Sequence, residues 1–310
     1  MLTGGHLPLD FQRPVRVWQV GERRLELGRL PLLMGILNVT PDSFSDGDRY
    51  TRIDAALAQA DVLVSEGADI LDIGGESTRP GADPVSLTDE LARVVPVIRA
   101  LASRVQVLIS VDTSKAEVAH QAIDAGAHII NDVTGLADPE MPRVCAAAGV
   151  GVICMHMQGT PQTMQLAPHY EDVVTEIADY LSKRLADLEG QGIPRERVVL
   201  DPGIGFGKTA EHNLQILSNI ERFRALGRPV LIGHSRKRFL AKMLGRPLNE
   251  STFGTVGVSL ACAAQGADLL RLHEIAPTRD CLLAWQAVIS RMPQGRSEPN
   301  PTDSAGEISS

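Results

Sequence analysis

Eight short apolar runs recur along this chain, most of them ending in a polar or ionisable residue. Each run is rich in Val, Ile and Leu without strict alternation, a pattern typical of parallel strands that are covered on both faces. Such strands need long connections, because parallel neighbours cannot be joined by a tight turn. The runs cover residues 32–38, 69–77, 107–113, 128–134, 151–157, 198–203, 229–235 and 268–274.

The segments between the runs have helical spacing. Apolar residues in the segment 53–68 recur along one stripe at a period of 3.6 residues, as expected for an amphipathic helix. Ser114 and Glu117 have the spacing of a capping box, which predicts a helix start at Ser114, and Gly126 predicts the end of that helix. Strand and helix therefore alternate through the chain.

Eight strand and helix units in about 250 residues predict a closed (β/α)₈ barrel, the TIM barrel, with its site at the carboxyl ends of the strands. A doubly wound open sheet is the alternative architecture, but it rarely needs eight parallel strands. We expect residues 1–31 to form a short N-terminal hairpin that closes the bottom of the barrel, residues 32–292 to form the barrel, and residues 293–310 to be a disordered polar tail.

Composition limits the class of protein. The chain has 310 residues, of which 44% are hydrophobic, and a formal net charge of −8, so we expect no nucleic-acid partner. Its apolar stretches are too short to span a bilayer and it begins without a signal peptide, so we expect a cytoplasmic protein with no membrane partner. The four cysteines show no C-x-x-C spacing, which favours reduced thiols packed in the core. They are Cys145, Cys154, Cys262 and Cys281.

Three polar residues at predicted strand ends form a first candidate site. They are Asp112 in SVDT, Asn131 in IIND and Asp201 in LDPG. A carboxylate accepts hydrogen bonds and an amide both donates and accepts, so together they could bind a flat heterocycle with adjacent N–H and NH₂ groups. Capping of the following helices is the structural alternative for each residue alone.

A second candidate site is cationic. Arg79, Arg236, Lys237, Arg271 and His273 all fall at predicted strand ends or just beyond them. Arginine binds phosphate through two parallel hydrogen bonds and lysine offers a mobile charge, so converging cations predict a phosphorylated or diphosphorylated ligand. A solvated surface charge is the alternative for any one of them.

Several familiar motifs are absent or incomplete. GKT at 207–209 imitates the end of a nucleotide P-loop, but Pro202 stands where that motif needs glycine. We instead expect the glycine-rich segment to be flexible backbone around a ligand. No H-E-x-x-H metal motif and no G-x-S-x-G nucleophile elbow occurs. His156 and His234 lie near strand ends, where tight packing or capping is the more common role.

Two longer motifs carry a specific resemblance. GILNVTPDSFSDGD at 35–48 and DIGGESTRPGA at 72–82 resemble the two signatures of the dihydropteroate synthase family. The resemblance continues through SVDT, IINDVTG, MHMQGTP, LDPGIGFGKT, GHSRK and RLHE, and covers about residues 32–290. It implies a (β/α)₈ barrel enzyme that joins 6-hydroxymethyl-7,8-dihydropterin diphosphate to p-aminobenzoate, with release of diphosphate, and that uses Mg²⁺.

The resemblance also implies a role for individual residues. The catalytic residues would be Asp46, Arg79, Lys237 and Arg271. The pterin ring would be held by Asp112, Asn131, Met155, Asp201 and Lys237. The diphosphate would be held by Asn38, Arg79, Arg271 and His273, with Asn38 also at the metal. The p-aminobenzoate pocket would be lined by Phe44, Thr78, Pro80, Phe206 and Ser235.

Two positions depart from the family pattern. Asp48 stands where a second glycine is common, and Glu274 replaces aspartate in RLHE. Neither has an assigned role. Two alternatives stay open: a methyltetrahydrofolate-type methyltransferase, and a catalytically silent pterin-binding paralogue. The family resemblance further implies a homodimer, formed through the later helices around residues 254–264.

Overall fold

The computed structural model of the chain describes residues 15–28, 30–40, 49–78 and 81–291, with the backbone alone given for residues 49–52. Two short antiparallel strands come first, β1 (Arg16–Val20) and β2 (Arg23–Leu27). Eight parallel strands follow. They are β3 (Leu32–Asn38), β4 (Ile70–Gly74), β5 (Leu108–Asp112), β6 (Ile129–Asp132), β7 (Gly151–Met155), β8 (Val198–Asp201), β9 (Leu231–Ile232) and β10 (Leu269–Leu272).

Helices separate the parallel strands and surround the sheet. In chain order they are α1 (Arg49–Ser65), α2 (Leu87–Ala102), α3 (Ala116–Asp124), α4 (Met141–Ala148), α5 (Val173–Gly190), α6 (Ala210–Leu217), α7 (Ile220–Arg224), α8 (Arg238–Leu244), α9 (Thr252–Gln265) and α10 (Ala276–Ile289). None of the helices in the described ranges is both long and apolar enough to cross a membrane.

The sheet closes on itself as a barrel. Strand order runs β8, β7, β6, β5, β4, β3, β10, β9, so β8 and β9 are its two edges. These edges meet through a parallel bridge between Leu200 and Val230 and a hydrogen bond of 2.9 Å from the Leu200 amide to the Pro229 carbonyl. The (β/α)₈ barrel predicted from the sequence is confirmed, and the doubly wound open sheet is excluded.

Alternate residues of each strand face opposite sides, as the pleat requires. Outward residues such as Leu71, Val111 and Val152 join the helices in one large apolar cluster. The lowest inward residues form a second cluster, to which all eight parallel strands contribute one residue each. They are Met34, Ile70, Leu108, Ile129, Ile153, Val199, Leu231 and Leu269.

The β1–β2 hairpin covers the bottom of the barrel, as expected. Trp18 and Val20 are fully or nearly fully buried in the lower inward cluster. The indole Nε1 of Trp18 donates to the Arg197 carbonyl at 2.8 Å. Gly151 allows the hairpin to pack closely against β7, because a Cβ there would lie 2.8 Å from Val20 Cγ2 and 3.0 Å from Trp18 Cζ2.

Two arginines at the bottom of the barrel donate hydrogen bonds to main-chain oxygens. Arg16 donates to the carbonyls of Arg224 and Arg228. Arg228 in turn donates to the carbonyls of Val17, Glu196 and Val198. The hairpin is thus attached to the barrel by hydrogen bonds as well as by apolar contact.

One helix start differs from the sequence prediction. Helix α3 begins at Ala116 with Lys115 at the N-cap position, and the cap lacks a side-chain hydrogen bond. The Ala116 amide instead donates to Asp138 Oδ2 at 3.0 Å, so a carboxylate from the next strand and helix connection replaces the local cap. The capping box at Ser114 was wrong, whereas Gly126 follows the helix end with a φ of +114°.

The cysteines match the expectation of packed, reduced thiols. Cys145, Cys154 and Cys262 are buried, Cys281 is partly exposed, and all four are free. Burial raises the pKa of Cys154 to about 12, so this thiol stays protonated and behaves as a small apolar side chain.

Candidate active site

The inward positions become polar one layer above the apolar floor. Asp72, Ser110, Asn131 and Asp201 follow the floor residues of their strands by two positions and are all buried. The parallel register sets Gly74 beside Asp112 and Asp112 beside Asn131. The first candidate site predicted from the sequence, Asp112, Asn131 and Asp201, is therefore brought together.

Arg271 lies between two carboxylates inside the barrel. Its Nε donates to Asp72 Oδ2 at 2.6 Å and its Nη2 donates to Asp112 Oδ2 at 2.7 Å. Asp72 also accepts a hydrogen bond of 3.1 Å from the Asn131 amide nitrogen. Burial lowers the pKa of Arg271, but Asp72 and Asp112 more than offset it and the net shift is upward.

Two carboxyls of the site are held away from their usual ionisation range. Burial raises the pKa of Asp112 to about 7, although Arg271 opposes the shift. Burial likewise raises the pKa of Asp201 to about 6, against the hydrogen bond that its carboxylate accepts from the Gly203 amide. Such shifts are common among groups whose burial serves ligand binding rather than stability.

An apolar wall faces these polar groups. Val133, Met155, Met164 and Phe206 form a small cluster of buried side chains at the upper end of the barrel. The Lys237 Nζ lies 4.0 Å from the centre of the Phe206 ring, within the range of a cation–π contact. Burial, with Arg271 nearby, lowers the pKa of Lys237 to about 8.

Ser235 and His273 meet at the rim. The Ser235 Oγ lies 3.1 Å from His273 Nδ1 and accepts a hydrogen bond of 3.3 Å from the His273 amide. Asn38 ends β3 and is paired in register with Gly74. Thr78 follows β4 on the same side of the barrel, so the carboxyl ends of four strands supply rim residues.

Of the predicted cationic residues, Arg236 is the most exposed among those described. It has a φ of +53°, and its guanidinium lies 3.5 Å from Glu274 Oε1. The other oxygen of Glu274 accepts a hydrogen bond of 2.6 Å from Thr252 Oγ1. The glutamate that departs from the family pattern thus connects the β9–α8 loop, which carries Arg236, to the start of α9.

These residues surround one cleft of about 880 Å³ at the carboxyl ends of the strands, a size suited to a small organic ligand. Its lining includes every predicted site residue of the described chain, namely Asn38, Thr78, Asp112, Asn131, Met155, Asp201, Phe206, Ser235, Lys237, Arg271 and His273. A second cavity of about 130 Å³ adjoins it beside Thr78 and Asp112.

Some predictions lie outside the described residues. Phe44, Asp46, Arg79 and Pro80 are among them, as are Asp48 and the tail 293–310. Their roles stay predictions. His156 and His234 are packed, as expected: both are buried, and the His234 Nε2 lies 3.0 Å from the Thr255 carbonyl oxygen and from the Ser259 hydroxyl.

The glycine-rich segment after β8 is tightly packed instead of flexible. Gly203 has a φ of +73° and a Cβ there would lie 1.9 Å from the His156 carbonyl oxygen. Gly207 has a φ of +63°, and its Cβ would lie 2.4 Å from the Gln158 carbonyl oxygen. These glycines permit close approach of two loops, because a side chain at either position would collide with main chain.

Sequence reasoning missed several polar residues beside the cleft. Asp72 sits within an apolar run and gave no signal of its role as the partner of Arg271. Lys208 is 3% exposed, although the incomplete P-loop drew attention to its motif. Glu90, fully buried on α2, accepts hydrogen bonds from Thr113 Oγ1 at 2.7 Å and Lys115 Nζ at 2.5 Å.

Among the described residues, Asn38 is the one whose position suits a divalent cation bound together with substrate phosphates. No group of three or more His, Cys, Asp or Glu residues in the described ranges could hold a metal ion. Mg²⁺, however, is usually bound by one or two protein ligands together with water and substrate phosphates. The side-chain oxygen of Asn38 at the cleft rim suits that arrangement.

The site as a whole combines two recognition surfaces in a barrel. Buried carboxylates and an amide deep in the barrel suit a planar ligand with several N–H groups, whereas Lys237, Arg271 and His273 provide cationic or polar groups for an anionic ligand. Residues 34–273 match the family of pterin-binding enzymes. The chain therefore belongs to the pterin-binding enzyme family.

Curated relatives narrow the class. The chain is 43% identical over 268 residues to the dihydropteroate synthase of Escherichia coli strain K12, covering 86% of this chain and 95% of the relative. It is 45% identical over 258 residues to the dihydropteroate synthase of Haemophilus influenzae, covering 83% and 94%. The resemblance to dihydropteroate synthases is confirmed, and with it the class of enzyme, a transferase.

Solved structures agree with the fold. Xanthomonas albilineans dihydropteroate synthase with 4-aminobenzoic acid superposes with a TM-score of 0.84 at 45% identity, covering 90% of this chain and 100% of that chain. The same organism's enzyme in complex with 7,8-dihydropteroate gives a TM-score of 0.80 at 42% identity, covering 89% and 100%. Yersinia pestis dihydropteroate synthase in a sulfonamide complex gives 0.83 at 42%, covering 88% and 99%.

Proposed function

We propose that this enzyme condenses 6-hydroxymethyl-7,8-dihydropterin diphosphate with p-aminobenzoate to give 7,8-dihydropteroate and diphosphate. The observation that carries the proposal is the cleft itself, in which two buried carboxyls and a buried amide lie together with a lysine and an arginine. Named relatives with 42–45% identity support the same reaction.

The pterin ring would lie deep in the barrel. Asp112 and Asp201 would accept hydrogen bonds from ring N–H and amino groups, while Asn131 could accept one and donate another. Met155 would pack against the ring face, with Lys237 at its edge. Asp112 Oδ2 accepts from Arg271, and because a carboxylate can accept several hydrogen bonds, Asp112 could bond to the pterin and to Arg271 together.

The diphosphate would lie at the rim, against Asn38, Arg271 and His273, with Arg79 contributing from outside the described residues. Bound Mg²⁺, held by Asn38 and phosphate oxygens, would neutralise charge on the leaving group. The bond between the pterin methylene carbon and the diphosphate oxygen breaks, and its electron pair leaves with diphosphate. The guanidinium of Arg271 stabilises the charge that develops on that oxygen.

The arylamine would approach from the side lined by Thr78, Phe206 and Ser235, with Phe44 and Pro80 outside the described residues. Its nitrogen forms the new bond to the methylene carbon and then loses a proton. Because the amine is neutral at pH 7, positioning contributes more than a strong base. Asp46 would stabilise the cationic pterin, which the site must shield from water until the amine attacks.

The test is product formation by the purified protein. Pterin diphosphate and Mg²⁺ are supplied with and without p-aminobenzoate, and both diphosphate and dihydropteroate are measured. We expect product only with both substrates, and a loss of about 100-fold or more in Arg271→Ala, because a charged hydrogen bond at the leaving group is removed.

Arg143→Ala is the matched control, since Arg143 is an exposed arginine of α4. It should leave the rate unchanged. Tight binding of pterin without any product from wild-type protein would contradict the proposal and favour a silent pterin-binding paralogue. Transfer of a methyl group from a folate donor would favour the methyltransferase alternative.

Assembly and location form part of the same proposal. We infer a homodimer whose contact includes α9, because Phe253 on that helix is 88% exposed and Met243 on the neighbouring α8 is 51% exposed, a pairing of apolar side chains typical of an interface. Sedimentation of wild-type protein and of Phe253→Ser tests the dimer, which the substitution should weaken. The free, mostly buried cysteines support a reducing, cytoplasmic location.

A further inference from the structure

Lys208 is a buried lysine that the proposed reaction does not use, and burial lowers its pKa to about 7. It lies in the β8–α6 loop (residues 202–209), which connects β8 to α6, and it borders the cleft. Only 3% of the residue is exposed. A lysine buried this deeply needs a purpose, because removing its ammonium from water is costly unless every donor is satisfied.

The hydrogen bonds of Lys208 are directed toward the protein. Its Nζ donates to the Phe206 carbonyl at 2.8 Å, to His156 Nδ1 at 3.1 Å and to the His156 carbonyl at 3.4 Å. A lysine ammonium has three N–H donors. Acceptors in the described chain therefore occupy all of them, which leaves none for a substrate and argues against direct catalysis.

The acceptors belong to two different loops. His156 follows β7, and its ring packs edge-on against Tyr180 with 4.8 Å between ring centres. Burial, together with the charge of Lys208, lowers the pKa of His156 to about 3, so the imidazole remains a neutral acceptor. Lys208 thus ties the β8–α6 loop to a histidine that is itself fixed in the barrel wall.

The loop that Lys208 ties carries Phe206, whose ring contacts Lys237. Other side chains also bond to this loop: Gln165 donates to the Gly205 carbonyl at 2.8 Å, Tyr170 donates to the Gly207 carbonyl at 3.0 Å, and the buried Asn213 accepts from the Gly205 amide at 2.8 Å. The hydrogen bond from Lys208 is accepted by the main-chain carbonyl of Phe206 itself, so it fixes the backbone position from which the Phe206 ring projects.

We propose that Lys208 is a positioning residue for the p-aminobenzoate side of the cleft: it fixes the main chain of Phe206 against the loop after β7 and thereby holds the aromatic wall in place. The inference rests on the proposed function, since it assigns Phe206 to the arylamine pocket. Its specific consequence is an effect on one substrate more than on the other.

The experiment compares Lys208→Met, which keeps the length of the side chain but removes its donors, with Lys183→Met, an exposed lysine of α5. Steady-state constants are measured for both substrates at pH 8, where Asp201, with its pKa near 6, is ionised. For Lys208→Met we expect the KM for p-aminobenzoate to rise about tenfold, because the substitution leaves the buried Phe206 carbonyl without its donor. The KM for pterin diphosphate should change less than about threefold.

If Lys208 only stabilised the fold, Lys208→Met would raise the KM values for both substrates by the same factor. Equal changes in the two KM values, or no change in a folded Lys208→Met protein, would overturn the proposal. Thermal unfolding shows whether the variant is folded, and Lys183→Met should match wild type in every constant.

Tyr170→Phe provides a second test should Lys208→Met not fold. It removes the hydroxyl that holds the same loop at Gly207, so the KM for p-aminobenzoate should rise about twofold with that for pterin diphosphate unchanged. An unchanged KM for p-aminobenzoate would then overturn the inference. A wild-type protein that forms no dihydropteroate contradicts the proposed function instead, and the two failures are therefore distinguishable.

Discussion

The two ends of the barrel use the same strands for opposite purposes. At the bottom, each of the eight parallel strands contributes one apolar inward residue to a closed layer. Two positions further along, the inward residues of β4, β5, β6, β8 and β10 are Asp72, Ser110, Asn131, Asp201 and Arg271. A single alternation therefore produces a stabilising layer and, directly above it, a layer that binds ligand.

The ends also differ in how charge is treated. Arg16 and Arg228 at the bottom donate mainly to main-chain carbonyls, which can be satisfied without any ligand. At the top, the carboxyls Asp112 and Asp201 are buried with raised pKa values. Buried carboxyls of this kind weaken the ligand-free fold and gain further hydrogen-bond donors when a ligand binds.

The largest effect is expected at the bottom. Trp18→Ala should lower the free energy of unfolding by about 3–5 kcal/mol, because it removes a fully buried indole and leaves a cavity. The rate of product formation at 25 °C should stay within about twofold of wild type, since the site is built one layer higher. Equilibrium unfolding in urea and steady-state kinetics are the measurements.

Gly151→Ala sharpens this prediction. The added methyl would meet Val20 and Trp18 and should cost about 1–3 kcal/mol in the wild-type protein. In the Trp18→Ala background the cost should fall by about half, because the contact with the indole is gone while the contact with Val20 remains. Additive effects of the two substitutions would contradict the packing described for the hairpin.

At the top, Asp201→Asn should behave in the opposite way. It keeps the shape of the side chain but removes an acceptor for the pterin, so kcat/KM should fall about 100-fold. The free energy of unfolding at pH 7.5 should rise, because a buried carboxylate that is costly to ionise has been replaced by a neutral amide.

The matched control is Asp179→Asn, an exposed aspartate on α5, which should alter neither quantity. A marked loss of stability in Asp201→Asn, comparable with that of Trp18→Ala, would remove the distinction between the two ends of the barrel.

The smallest effect is in the pH dependence of ligand binding. Asp112 and Asp201 accept hydrogen bonds through both oxygens when ionised and lose part of that capacity when protonated, and their pKa values are raised to about 7 and about 6. Affinity for a pterin without phosphate groups should therefore fall about fourfold between pH 7.5 and pH 6.5. Isothermal titration calorimetry with 6-hydroxymethylpterin measures the affinity without titration of the substrate's phosphates.

Stability should change in the opposite direction from binding. A carboxyl whose pKa is raised in the folded state binds protons more tightly there, so its contribution to stability grows as pH falls from about 7 toward 4 and is lost as pH rises. The Trp18→Ala variant should keep the wild-type pH profile of binding. Asp201→Asn should show a shallower one, and an unchanged slope would exclude Asp201 from the titration.

The barrel could be predicted from the sequence because the patterns that indicate it are local and repeated. Each strand has an apolar run and each connection has helical spacing, so eight similar signals support one another. The ends of the strands were equally readable: Asp112, Asn131 and Asp201 follow buried runs at the positions where parallel strands converge.

The missed residues depend on contacts between distant segments. Asp72 looks like an isolated polar residue in an apolar strand until the closed barrel places it 2.6 Å from Arg271, 199 residues further along the chain. Lys208 resembles part of a nucleotide motif until two loops pack against each other. The predicted start of α3 was wrong for the same reason, because the Ala116 amide donates to Asp138, which lies in the next connection.

The barrel is joined least firmly where β8 meets β9. Strands β4 and β5 are paired along their whole length, whereas β9 has two residues and its edge bonds to β8 around the Leu200–Val230 bridge. Amide hydrogen exchange is fastest where the fewest bonds must open. The chain leads from the two sides of this seam to Asp201 and to Lys237, so an opening between β8 and β9 would move these two site residues apart. A ligand that contacts both Asp201 and Lys237 would hold the β8 and β9 sides of the barrel together.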